Sequence, residues 1–220
     1  MDYKTAAKEI GKGLFKPVYV LYGPEKYLMQ EFTTYLTDHL VEEPFRDFAV
    51  SKFDLSETNL EAVIEDAETF PFMVPQKIVI AKDAYFLTTA KESSKVEHNM
   101  DKLLEYIQSP ADHTVLVFTV IADKLDERKK IVKTLKQEDF MVPFLALSPE
   151  ELVQWIKKQA AKAQFMFAGG AAEHLILYSG TNLQNLSTEI EKLSLYVGSG
   201  GTATKGHVEQ LVVRSVEQNV

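Results

Sequence analysis

The sequence contains no cysteine. That excludes disulfides and thiolate metal sites and fits a reducing, cytoplasmic setting. Long apolar runs are missing too: nothing approaches membrane-spanning length. The opening stretch MDYKTAAKEIGKGLFK has no apolar core of the kind a signal peptide needs. A basic excess is also lacking, with 24 Lys and Arg against 32 Asp and Glu and a formal net charge of −8. A protein that grips DNA by itself neutralises phosphates with a basic surface. The composition therefore disfavours direct nucleic-acid binding, and any work near DNA would run through protein partners. What remains is ordinary: 220 residues, 45% hydrophobic and 25% charged, enough for one large or two modest globular domains.

Residues 1–142 alternate strand and helix. Val18-Tyr19-Val20-Leu21-Tyr22 reads as a buried strand stopped by Gly23-Pro24, and Glu25 to Leu40 as a helix with Leu28, Phe32, Tyr35, Leu36 and Leu40 inward. Phe48 to Leu55 is a second strand candidate, with Phe48, Val50 and Phe53 alternating. Leu60, Val63, Ile64 and Ala67 mark a helix capped from Ser56-Glu57-Thr58-Asn59. Lys77 to Ala81 and Thr114 to Ile121 are β-branched apolar runs, the pattern of a parallel sheet's interior. Tyr85 to Asn99 reads as a surface excursion. Met100 to Ile107 and Asp126 to Gln137 read as helices, and Phe140-Met141-Val142 as a last strand before Pro143. This alternation predicts a parallel α/β sheet with helices on both faces.

After Pro143 the pattern is helical. Ser148-Pro149-Glu150-Glu151 has the order of a capping box, opening a helix to about Ala163. Helices over Ala171 to Tyr178, Asn182 to Val197 and Thr204 to Val213 follow, with Gly198 to Gly201 as a linker. The expected organisation is an α/β domain over 1–142, an all-helical lid over 143–213, and a short stub over 214–220.

An apolar strand, Gly-Pro-Glu and a helix stand where a P-loop protein carries its phosphate cradle. A working cradle, G-x-x-x-x-G-K-[ST], needs glycines for backbone N–H groups to face phosphate, a lysine, and a hydroxyl for Mg²⁺. Gly23 is in place and Glu25 follows, but Leu28, Met29 and Gln30 occupy the second glycine, lysine and hydroxyl positions. Lys26 comes three positions early. Asp83 ends a strand of the kind that organises magnesium, but Ala84 follows it rather than a second acid. Leu183 opens a helix where nucleotide-sensing lids present an arginine. The histidines His39, His98, His113, His174 and His207 share no metal-ligand spacing. The expectation is a nucleotide-binding architecture emptied of its catalytic groups: no cofactor, no metal and no hydrolysis. The alternative is an active ATPase with an unorthodox phosphate loop.

One stretch does not fit a plain connection. Phe70-Pro71-Phe72-Met73-Val74-Pro75 lies between the helix at Leu60 and the strand at Lys77. At roughly 100° per residue, Val63, Ile64 and Ala67 fall within about 60° of Leu60, whereas Phe72 and Met73 would fall near 120° and 220°. Pro71 and Pro75 confine the segment to a short turn. The pattern assigns Phe70 at least partly to the core and favours tucking Phe72 and Met73 under the sheet.

Three motifs, in order, resemble those of a known family. Pro17 to Gly23 with Glu25 and Leu28, Phe70 to Met73 before Gln76 to Ile80, and Gly180 to Leu186 with Glu189 to Leu193 are similar to motifs of the clamp-loader delta subunit of bacterial DNA polymerase III, in its Gram-positive version. The resemblance implies a degenerate AAA+ domain, a lid and, further on, a collar domain that joins the other loader subunits. It also implies a role in DNA replication as a non-catalytic wrench. Such a wrench binds the ring-shaped sliding clamp and helps open it, touching DNA only within the complex. Under this resemblance Phe72 and Met73, with Pro71 and Phe70, become the clamp-binding turn. One branch of the family has Leu-Phe here. Phe72 stands at its aromatic and Pro71 at its leucine, which leaves open whether Pro71 or Met73 takes the leucine's part.

Overall fold

A computed structural model describes residues 1–89 and 96–214. The chain divides into two compact units, Met1–Ala146 and Leu147–Val220.

The first unit is built on five parallel strands: β1 (Val18–Gly23), β2 (Val50–Asp54), β3 (Lys77–Lys82), β4 (Thr114–Ile121) and β5 (Met141–Pro143), in the order β2-β3-β4-β1-β5. β1 is an interior strand, pairing with β4 through Val18↔Leu116 and with the edge strand β5 through Val20↔Met141. Its side chains alternate between faces. Val18 and Val20 join a core with α4 (Leu60–Glu68), α5 (Met100–Gln108) and α6 (Lys130–Gln137). Tyr19 and Leu21 lie outside that core, and Tyr19 meets Phe32 of α2 (Lys26–Leu40) edge to face, ring centroids 5.9 Å apart. Against α2 packs α1 (Tyr3–Ile10), capped by Asp2 and burying Ala6 and Ile10. The sheet is thus the parallel, helix-covered α/β core that the alternating pattern implies.

Local departures have local causes. Phe48 is not on a strand: Arg46–Ala49 forms a one-turn helix, α3, and Phe48 is exposed, while Ala49 is buried in its place. The segment after β3 does not begin at the surface, because a 3₁₀ turn at Tyr85–Leu87 puts Phe86 and Leu87 into the core. Residues 90–95 of that excursion lie outside the described residues. Helix α6 starts at Lys130 rather than Asp126, since Asp126 is used in the preceding turn. The backbone N–H and guanidinium of Arg128 both donate to its carboxylate.

The second unit contains α7 (Pro149–Lys162), α8 (Ala171–Ser179), α9 (Leu183–Val197) and α10 (Lys205–Leu211). The capping box at α7 is present in both directions, Ser148 with the Glu151 N–H and Glu151 with the Ser148 N–H. Two short strands the sequence pattern does not announce, β6 (Met166–Phe167) and β7 (Thr202–Ala203), pair in parallel. Gly198 to Gly201 is accordingly a bonded turn and not a free linker: Gly200 N–H donates to the Gln164 carbonyl at 2.7 Å. Residues 215–220, most of the expected stub, lie outside the described residues. Among the described residues no helix is long and apolar enough to cross a membrane.

Candidate functional site

All five strands run the same way, so the sheet has a carboxyl edge, where α/β proteins hold ligands, and an amino edge. The candidate residues divide between the two.

Gly23 ends β1 at the carboxyl edge with φ +140. Any side chain there would collide with the backbone of Phe144, whose carbonyl oxygen would sit 2.1 Å from an added Cβ. Phe144 fills the space beside the strand. Its N–H donates to the Tyr22 carbonyl at 2.7 Å, and its carbonyl accepts the Glu25 N–H at 3.3 Å. Its buried ring packs on Phe32 and Tyr3, each 5.5 Å away by centroid. A backbone donor that a phosphate cradle would offer is therefore taken by protein. Leu28 and Met29 are buried core residues and Gln30 is exposed. The Glu25 side chain caps nothing, and burial pushes its carboxyl up.

Asp83 follows β3 in a left-handed conformation, φ +63. β4 separates it from β1 in the sheet. Nearby, the Tyr85 hydroxyl holds its proton more tightly than usual, through burial first and the Asp83 carboxylate second. Leu183, in the second unit, is buried at the start of α9, which Asn182 caps through the Asn185 N–H. Among the described residues no group of three or more His, Asp or Glu side chains could hold a metal ion.

The amino edge carries the apolar turn. Helix α4 stops at Glu68, before Pro71, and Thr69 closes it by donating its N–H to the Glu65 and Asp66 carbonyls. Two carbonyls of this last turn also accept from the sheet, Asp66 as a second bond and Ala67 as its first. Lys77, buried at the first position of β3, donates its Nζ to the Asp66 carbonyl and lies 3.5 Å from the Asp66 carboxylate. Thr114, buried at the first position of β4, donates its hydroxyl to the Ala67 carbonyl at 2.7 Å. Bonds to the Glu65, Asp66 and Ala67 carbonyls hold this helix end against fraying, so the turn springs from a fixed base.

Past that base the apolar side chains face outward. Phe72 is 68% and Met73 70% exposed, not tucked under the sheet as the pattern alone favours. Phe70 corrects the core assignment: it is 79% exposed. The chain is already extended at Thr69 (ψ 129), so the helical phase that would carry Phe70 inward has ended. Its ring instead stacks on His113, centroids 4.3 Å apart and planes 21° from parallel. Pro71 is half-buried, and Met73 sits at φ +62, a conformation unusual for a non-glycine residue. The structure brings Phe70, Pro71, Phe72 and Met73 together on one turn, away from Gly23, Glu25 and Asp83. Sequence reasoning missed Lys77, His113, Thr114 and Phe144. A lysine and a threonine opening apolar strands were the only signal for two of them.

A family model described as DNA polymerase III, delta subunit, matches residues 19–145, more than half of the chain. The chain is 43% identical over 213 residues to DNA polymerase III subunit delta of Bacillus subtilis, covering 97% of this chain and 61% of that protein. It is 25% identical over 204 residues to a probable DNA polymerase III subunit delta of Aquifex aeolicus, covering 92% and 56%. Among solved structures it matches the Bacillus subtilis DNA clamp loader delta protein with a TM-score of 0.79 and 42% identity, over 99% of this chain and 64% of that one. The Thermotoga maritima RuvB branch migration motor matches at 0.53 and 11% identity, over 95% and 65%, a likeness of AAA+ fold alone. The chain thus spans less than two thirds of the length of the delta subunits it matches. A parallel sheet in the order β2-β3-β4-β1-β5, a family model over more than half of the chain and a 43% identical relative agree on one assignment: the chain belongs to the DNA polymerase III delta-subunit family.

Proposed function

We propose that this chain is the clamp-engaging part of a clamp-loader delta subunit. It binds the ring-shaped sliding clamp through the Phe70–Met73 turn and helps open the ring for loading onto primed DNA, without hydrolysing nucleotide. The observation that carries this reading is the turn itself: three large apolar side chains stand in solvent on a segment whose base is tied to two strands. Burying one exposed aromatic in a partner's pocket contributes about 2–3 kcal/mol. A base held by Lys77 and Thr114 and a backbone restricted by Pro71 and Pro75 lower the ordering cost of binding. Phe72 is the central anchor, with Met73 and Phe70 beside it.

The carboxyl edge supports the non-catalytic half of the reading. The Phe144 backbone lies against Gly23, and Leu28, Met29 and Gln30 offer no cation. The net charge of −8 fits a subunit that meets DNA only inside a larger assembly. Contacts with the other loader subunits would come from the part of the family's length beyond this chain.

Binding to immobilised sliding clamp, with and without ATP and Mg²⁺, tests the proposal. It predicts binding that nucleotide does not change and that salt weakens little. Tight magnesium-dependent ATP binding in a calorimetric titration would instead support the active-ATPase alternative.

A further inference from the structure

We infer that His113 is a positioning residue of the clamp-binding turn, its imidazole serving as the platform that holds Phe70 beside Phe72 and Met73. This rests on the clamp-binding reading above. Phe70 has one ring face on His113, 4.3 Å away, while most of its surface is open. The His113 side chain is only 10% exposed, yet neither ring nitrogen has a hydrogen-bond partner among the described residues. Asp112 Oδ1, 3.4 Å from Nδ1, makes no hydrogen bond with it. Buried polar groups kept for their polarity are hydrogen-bonded. This one is not, and what it does offer is a flat face.

The platform is itself fixed. The His113 carbonyl accepts the Lys77 N–H at 2.9 Å, and the next residue, Thr114, donates to the Ala67 carbonyl. The residues that tie down the end of α4 therefore also orient the imidazole. An aromatic stack of this kind favours one orientation of Phe70 over free rotation about its side-chain bonds. Without it, Phe70 would have to be ordered when the clamp binds, and affinity would fall.

Surface-binding measurements with the purified cognate clamp, alongside thermal melts, test this. His113→Ala is expected to weaken binding about three- to tenfold. His113→Phe, which keeps the ring and removes the nitrogens, should restore affinity to within about twofold. In a Phe70→Ala background, His113→Ala should add no further loss, because the platform would have nothing to hold. Wild-type affinity for His113→Ala, an undiminished loss in the Phe70→Ala background, or no restoration by phenylalanine overturns the inference. Phe72→Ala keeps the two levels apart. If it abolishes binding while His113→Ala has no effect, only the platform fails; if it too has no effect, the clamp-binding reading fails with it.

Discussion

The two edges of the sheet depart from expectation in opposite directions. At the carboxyl edge, where α/β folds of this kind hold nucleotide, a glycine kept at φ +140 serves packing: it leaves room for the Phe144 backbone. At the amino edge, where a connection normally only returns the chain to the sheet, apolar side chains that packing could have used are left in solvent. β3 joins the two, with Lys77 at the base of the turn and Lys82-Asp83 at the other end, roughly 17 Å away for a six-residue strand. The comparison teaches that a glycine at the position of a phosphate motif can be held there by packing, because a neighbouring backbone depends on it. A site is then better sought where side chains are exposed against their own interest.

Substitutions at the two edges should separate stability from binding. The largest loss of stability is expected for Gly23→Ala, which drives a Cβ into the Phe144 carbonyl at an unfavourable φ. Chemical denaturation should register about 3 kcal/mol or more, and a harmless substitution would break the contrast. Lys77→Met should cost about 1–3 kcal/mol by removing the ammonium that bonds the Asp66 carbonyl and faces the Asp66 carboxylate, and it should also weaken clamp binding because the turn loses part of its base. A smaller effect is expected at the carboxyl edge in acid. Arg128 hydrogen bonds hold the Asp126 carboxyl down to about 2, against an ordinary 3.8. The stabilisation this gives is present above about pH 4 and is lost as pH falls through about 2. Arg128→Ala should therefore flatten the acid arm of a stability–pH curve between those values. The smallest effect belongs to the turn: Phe72→Ala with Met73→Ala should change stability by less than about 0.5 kcal/mol, since neither side chain packs in the core.

Much of this was legible in the sequence where neighbours along the chain decide the outcome. The β-branched runs at Val18, Lys77 and Thr114 are strands, and Ser148 to Glu151 is a capping box in fact as in pattern. The missing lysine and hydroxyl of the cradle needed no structure to see. What the sequence hid depends on partners far along the chain. Phe144 reaches Gly23, Thr114 reaches Ala67, and His113 reaches Phe70, each across forty residues or more. Phe48 misled because alternation alone cannot tell a one-turn helix followed by a strand from a longer strand. Phe70 misled because helical phase was carried past Thr69, where the backbone had already turned extended. Lysine at the head of an apolar strand reads as an exposed terminus, and it takes the carbonyl and carboxylate of Asp66 to explain its burial.

The central claim is that this chain acts through its amino-edge turn. The most direct test is the affinity of Phe72→Ala for the purified cognate sliding clamp, measured beside its melting temperature. The account predicts an unchanged melting temperature and an affinity lowered by about thirtyfold or more, in line with the about 2–3 kcal/mol that burial of the ring contributes. Wild-type affinity in a fully folded Phe72→Ala protein would contradict it.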